Sequence, residues 1–205
     1  MRTLATLLFC CTVAQAAAQA AEPNLTPEER KKLITLLEDS RDQLYKSIEG
    51  LSPAQWTFQS SPDRWSVGLT VEHIMRSEVL LFKQAELALS NPENPDWEAK
   101  TKGKTEFLEK VMPARQGKAV SPLEIRPEGK MTREEILAQF AELRAKSLAF
   151  AKQVEKPLKS HTAEHPFPIF NTLNAYQWLL YIPWHNQRHI KQIEEVKAHA
   201  DFPKS

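Results

Sequence analysis

Four stretches of this chain repeat apolar residues every third or fourth position, and each follows a residue able to cap a helix. That period commits them to helix, because a half-buried strand alternates every second residue. The first opens at Thr26-Pro27-Glu28-Glu29, where Thr26 can cap, Pro27 suits the first helical position and Glu29 closes a capping box. Leu33, Leu37, Leu44, Ile48 and Leu51 follow in phase, and Gly50 marks the stop. The second runs from the cap Ser66 to about Ser90, with Leu69, Ile74, Leu81, Phe82 and Ala85 as its apolar surface. The third opens with the capping box Thr132-Arg133-Glu134-Glu135 and carries Ile136, Phe140, Leu143, Phe150 and Val154 to about Glu155.

The last helix is expected from Asn171 or Thr172 to Ala198 or His199. Its stripe is Trp178, Ile182, His185, His189, Ile193 and Val196, and Pro183 inside it should kink it near the histidines. Asn91-Pro92 and Asn94-Pro95 end the second helix and begin a long connection to Lys130. A short helix from Lys104 to Met112 is expected inside that connection. With only 5 glycines in 205 residues, a turn-rich β architecture is disfavoured. The reading is all-α: a four-helix bundle with one long crossover.

Two histidines occupy the core-facing stripe of the last helix. His185 and His189 are one turn apart on one face, within reach of a single ion. Burying two imidazoles without partners costs free energy, and a shared metal removes that cost. Gln192 borders the same face and could hold a ligand imidazole from behind. A third imidazole from another helix, with His73 in the second helix as the candidate, would complete a three-ligand site with an open position. That is the arrangement of catalytic rather than structural zinc. On spacing alone, ligation and a satisfied core pair both stay open, because His-x-x-x-His is short. The zincin base is absent, since Asn186 stands where His-Glu-x-x-His proteases carry glutamate.

Glu72 adjoins His73 but points about 100° away, and is read as solvated or as an ion-pair partner. His161 and His165 lie in a proline-bounded loop, where four-residue spacing has no facial meaning. Trp56, Trp65, Trp178 and Trp184 are read as core. Trp184 is the one placed to line a pocket beside the histidines, and Trp65 is placed to anchor the second helix.

Residues 1–20 read as a secretory signal peptide, and 21–205 as one domain. Arg2 is the basic start, Leu4 to Val13 the apolar run, and Ala18-Gln19-Ala20 the cleavage pattern. The run is too short for a stable membrane anchor, so no stable membrane insertion is expected, and the mature chain is expected in the periplasm or secreted. Cys10 and Cys11 both fall in this leader, so the mature protein has no thiol and a metal must be held by His, Asp or Glu. The chain has 27 basic and 26 acidic residues; losing Arg2 leaves 26 of each. A neutral balance without a basic run excludes a nucleic-acid partner.

Leu51-Ser52-Pro53-Ala54-Gln55-Trp56, then Trp65-Ser66-Val67-Gly68 leading into Glu72-His73-Ile74, then His185-Asn186-Gln187-Arg188-His189-Ile190-Lys191-Gln192-Ile193, resemble the DinB-like superfamily. The resemblance implies up-down-down-up topology and a divalent metal, Zn²⁺ or alternatively Ni, Mn or Fe, on His73, His185 and His189. It also implies a metal-dependent activity on a thiol or another small-molecule substrate, since members include thiol S-transferases and a mycothiol-linked isomerase, and it implies a homodimer. No catalytic residue beyond the metal ligands is assigned. The expectation is an exported metalloenzyme, S-transferase-like or hydrolytic, with a non-enzymatic metal- or ligand-binding bundle as the alternative.

Overall fold

The computed structural model describes residues 22–115 and 121–204, so the leader lies outside the described residues. Among the described residues seven α-helices form: α1 (Pro27–Ile48), α2 (Pro53–Thr57), α3 (Val67–Ser90), α4 (Trp97–Thr101), α5 (Lys104–Val111), α6 (Arg133–Gln153) and α7 (Ala175–Lys197). The long ones, α1, α3, α6 and α7, are the four expected helices. Both expected capping boxes form, at Thr26 and Thr132, and Gly50 takes the left-handed conformation just past α1. Helix α7 runs through Pro183 from end to end.

It starts later than expected. Thr172–Asn174 forms strand β2, paired antiparallel with β1 (Thr162–Glu164), Thr162 opposite Asn174. Asn174 then caps α7 in a capping box with Gln177. A three-residue strand is too short to show a period in sequence, and its pairing depends on a partner across a proline-bearing loop.

Contacts between helices give the directions. Tyr176 donates to the Glu29 carbonyl and Lys197 to that of Ser47, so α1 and α7 run parallel. Arg30 reaches the Ala151 and Val154 carbonyls while Arg133 reaches those of Ile48 and Leu51, so α1 and α6 are antiparallel. Glu72 binds Gly129 before α6, and further along Phe82 meets Phe150, so α3 and α6 are parallel. The result is a four-helix bundle of up-down-down-up topology with one long crossover between α3 and α6. Among the described residues no helix is long and apolar enough to cross a membrane.

The core is divided. One apolar cluster gathers Leu33, Leu37, Leu81, Phe82, Leu148, Trp178 and Trp184; the other gathers Leu44, Ile74, Met75, Ile136, Phe140, Ile190 and Ile193. Between them lies a buried polar belt with a contribution from each long helix: Ser40, His73, Ser77, Glu78, Arg144, Ser147, His185, Asn186 and His189. At its centre Arg144 grips Glu78 with two hydrogen bonds of 2.8 and 2.9 Å, both side chains essentially inaccessible. Arg144 also donates to the Leu37 carbonyl and to Ser40 Oγ, while Ser147 donates to Glu78. The Asn186 amide completes the network, its nitrogen donating to the Ile182 carbonyl and its oxygen accepting from Arg144. A charge taken this far from water is tolerated only with its hydrogen bonds satisfied.

Helix α3 is seated close to α2. A Cβ built on Gly68 would collide with Trp56 Nε1, and Arg133 covers that indole at 4.8 Å, so the ring has little room to retreat. Gly68→Ala is expected to cost about 1–3 kcal/mol by overpacking. Urea unfolding measures this, and a cost under half a kcal/mol would show that the indole yields.

Candidate metal centre

His73 lies in the second turn of α3; His185 and His189 lie on successive turns of α7, which packs antiparallel against it. All three are buried, and their rings sit 4.4 to 5.1 Å apart, centre to centre. One nitrogen from each comes within 4.8 Å of the others, and among the described residues this is the one group of His, Asp or Glu able to hold a metal ion. His185 Nε2 and His189 Nε2 are 3.1 Å apart.

Two of the rings are oriented from behind. His73 Nδ1 lies 2.8 Å from the Ile125 carbonyl, which can only accept, so Nδ1 carries the proton and Nε2 presents a lone pair. His189 Nδ1 faces Gln192 Oε1 at 2.9 Å, and the same oxygen accepts from Arg115 at 3.2 Å, so that ring too turns Nε2 inward. His185 Nδ1 is buried without a partner. Gln192 thus holds a candidate ligand from behind, as its position bordering the stripe suggests.

Burial drives the proton affinities down. It holds the His73 imidazole at about 4, against an ordinary value of 6.5, and holds His185 and His189 well below the ordinary range, each further disfavoured by neighbouring rings. Three neutral nitrogen donors converging on one point fit a tetrahedral divalent ion, whose ligand nitrogens stand about 3.4 Å apart at normal bond lengths. They also dictate a pH response. Above pH 6.5 His73 is neutral whether folded or unfolded. Below it the unfolded chain takes up a proton that the folded chain refuses down to about pH 4. Metal-free protein is therefore expected to lose stability between pH 6.5 and 4, about 3 kcal/mol from His73 alone. Urea unfolding after chelation tests this; a flat profile would contradict a buried neutral His73.

The crossover forms one wall of the site. Glu72 is fully buried, not solvated. Its carboxylate accepts from the Glu128 and Gly129 amides at 3.0 and 2.9 Å and from Arg76 at 2.9 Å. This clasp holds the segment whose Ile125 carbonyl orients His73. Arg115, farther back in the crossover, binds Glu195 as well as Gln192 on α7.

The histidines open into a cavity of about 830 Å³. Trp65, not Trp184, lines it: the Trp65 ring is 4.7 Å from His73, while Trp184 is 1% exposed in the core. Trp65 precedes the helix cap and its ring folds back over the first turns of α3, whereas position 184 turns away from the face of His185. His165 stacks on Trp178 at 4.8 Å and forms part of the opposite wall. His161 donates to the Asn91 carbonyl and tethers the start of the crossover, and among the described residues neither histidine joins a second cluster. Tyr181, one turn before His185, also lines the cavity and was not singled out by sequence. Its position on the Trp178–His185 stripe was the available signal.

YuaE, an uncharacterized protein of Bacillus subtilis (strain 168), is 21% identical to this chain over 171 residues, covering 80% of the chain and 96% of YuaE. The solved structure of YfiT from Bacillus subtilis is described as a probable metal-dependent hydrolase with an unusual four-helix bundle topology. It superposes with a TM-score of 0.55 at 19% identity, over 85% of this chain and 89% of YfiT, which places the two in one fold. The sequence profile of the DinB superfamily matches residues 36–193, a span that opens in α1 and closes just after the histidine pair of α7. With that match over most of its length, on the bundle and histidine cluster described above, the chain belongs to the DinB superfamily.

Proposed function

We propose that this protein is a metal-dependent enzyme in which His73, His185 and His189 hold one divalent ion, and that its reaction is hydrolysis of a small molecule. The observation carrying this reading is the convergence of three neutral imidazoles, two of them fixed from behind by Ile125 and Gln192, at the floor of an open cavity. Zinc suits this donor set, with nickel, manganese and iron sharing it. Once bound, the ion supplies Lewis acidity to a water or thiol in the open position. The residues do the rest. Ile125 and Gln192 fix the rings, Trp65 and the crossover wall limit access of bulk water, and the cavity admits the substrate. The description of YfiT as a probable metal-dependent hydrolase favours hydrolysis over thiol transfer.

Screening metal-loaded protein against ester, amide and phosphoester panels is expected to find a turnover that chelation abolishes and added metal restores. Turnover surviving chelation would overturn the metal dependence. Co²⁺-substituted protein titrated with small thiols separates the thiol-transfer reading, since a sulfur-to-metal charge-transfer band would favour it over hydrolysis. We also propose export, on the leader pattern of residues 1–20. Intact-mass analysis of protein from the culture medium or periplasm should then give a chain starting at Ala21.

A further inference from the structure

We propose that the cavity beside the three histidines binds a small carboxylate with an apolar body, its head recognised by the Tyr181 hydroxyl and the Arg188 guanidinium. The proposal deepens the metal-site reading by assigning its ligand class. On α7, Trp178, Tyr181, His185 and Arg188 follow one another at spacings of three and four, so one face of one helix lines the cavity from end to end. Away from the histidines, the polar groups this face offers are donors: an indole N–H, a phenol O–H and a guanidinium.

Tyr181 is 6% exposed and lines the cavity, and one turn before it Trp178 Nε1 is buried without a hydrogen-bond partner among the described residues. A buried N–H with nothing to bond is costly unless an acceptor completes it, and the Tyr181 hydroxyl on the same cavity face can donate as well. The carboxylates lining the cavity, Asp63 and Glu124, belong to exposed residues at its edge. Arg115 on the same wall adds a second cation, although its guanidinium also binds Glu195. A donor-rich, cationic wall calls for an acceptor-only head group, and the planar fork of arginine matches a carboxylate. Opposite, Leu80, Leu81, Met112 and Phe167 supply apolar surface that gives an uncharged body somewhere to lie. At about 830 Å³ the space is within the usual range for a small-molecule site.

The test uses the full mature chain loaded with Zn²⁺. Calorimetry is run with 3-phenylpropionate and with its neutral isostere 3-phenylpropionamide, and metal content is measured on the same samples. The acid is expected to bind at least tenfold more tightly than the amide. Tyr181→Phe, which keeps the ring, is expected to weaken the acid about tenfold and leave the amide and the metal content unchanged. Arg188→Gln should abolish the preference for the acid. Equal binding of acid and amide, no binding of either, or an unchanged affinity in Tyr181→Phe would overturn the proposal. A sample without metal that still prefers the acid would sink the metal site and leave the carboxylate site standing, so the two failures are told apart.

Discussion

His185→Ala is expected to leave the protein without its metal, while wild type, expressed without a histidine tag, carries about one equivalent. His73→Ala should behave alike, because an ion shared between α3 and α7 needs donors from both. Loss of an outer partner is milder. Gln192→Ala frees the His189 ring but removes no donor, and should weaken metal affinity about 10- to 100-fold. Mass spectrometry gives the content, and thermal unfolding gives a second reading. Metal at about 100 times its dissociation constant adds roughly 2.7 kcal/mol to wild type by mass action, and should add nothing to His185→Ala. His199, exposed against Phe58, is the control whose replacement should change neither number. Equal metal content in wild type and both alanine variants would end the three-histidine reading.

Arg144→Ala is expected to cost about 3–5 kcal/mol, which for a chain of this size lowers the melting temperature by about 10 °C. The loss comes from what stays behind. Glu78 would be left in the middle of the bundle with only Ser147 to answer it, and the Leu37 carbonyl, Ser40 and Asn186 would each lose a donor. Replacing both charges, as in Glu78→Met with Arg144→Met, should recover most of that cost, since a well-packed apolar pair of similar volume does as well as a buried ion pair. Urea titration of the two singles and the double closes a mutant cycle. A single-variant cost below 1 kcal/mol would mean that water reaches the belt. Because Asn186 follows His185 directly and Glu78 follows Ser77, the same variants should also lower metal affinity if the network sets the register of α7 against α3.

The bundle was legible because its signals are local. A threonine three residues before a glutamate, a proline at the first helical position and an apolar residue every third or fourth position all act within one or two turns. The long helices accordingly begin where the caps place them, α7 excepted. The histidine pair was legible for the same reason, and His73 through the motif around it. What escaped is carried by contacts far apart in sequence. Glu78 and Arg144 are 66 residues apart, and Glu72 and the Gly129 amide 57. A trace of the belt was nevertheless present. Arg144 follows Ile136 and Phe140 at four-residue steps, and Glu78 falls in phase with Val71, Ile74 and Leu81, so both charges sit on core-facing stripes. A charge in phase with an apolar stripe asks for a partner in another helix. Trp65 and Trp184 were exchanged because the choice turns on how a side chain folds back at a helix start.

Glu72 and His73 are neighbours on one turn of α3, the first clasping the loop that orients the second. Any ligand that requires the present pose of the His73 ring therefore draws on the same free energy that keeps the loop closed, and the two equilibria are reciprocal. The Glu128 and Gly129 amide hydrogens, bonded to the Glu72 carboxylate, can exchange with solvent only when that clasp opens. Their exchange rates become a gauge of occupancy at the histidines, readable in a distant part of the chain and with an ion that has no spectrum of its own.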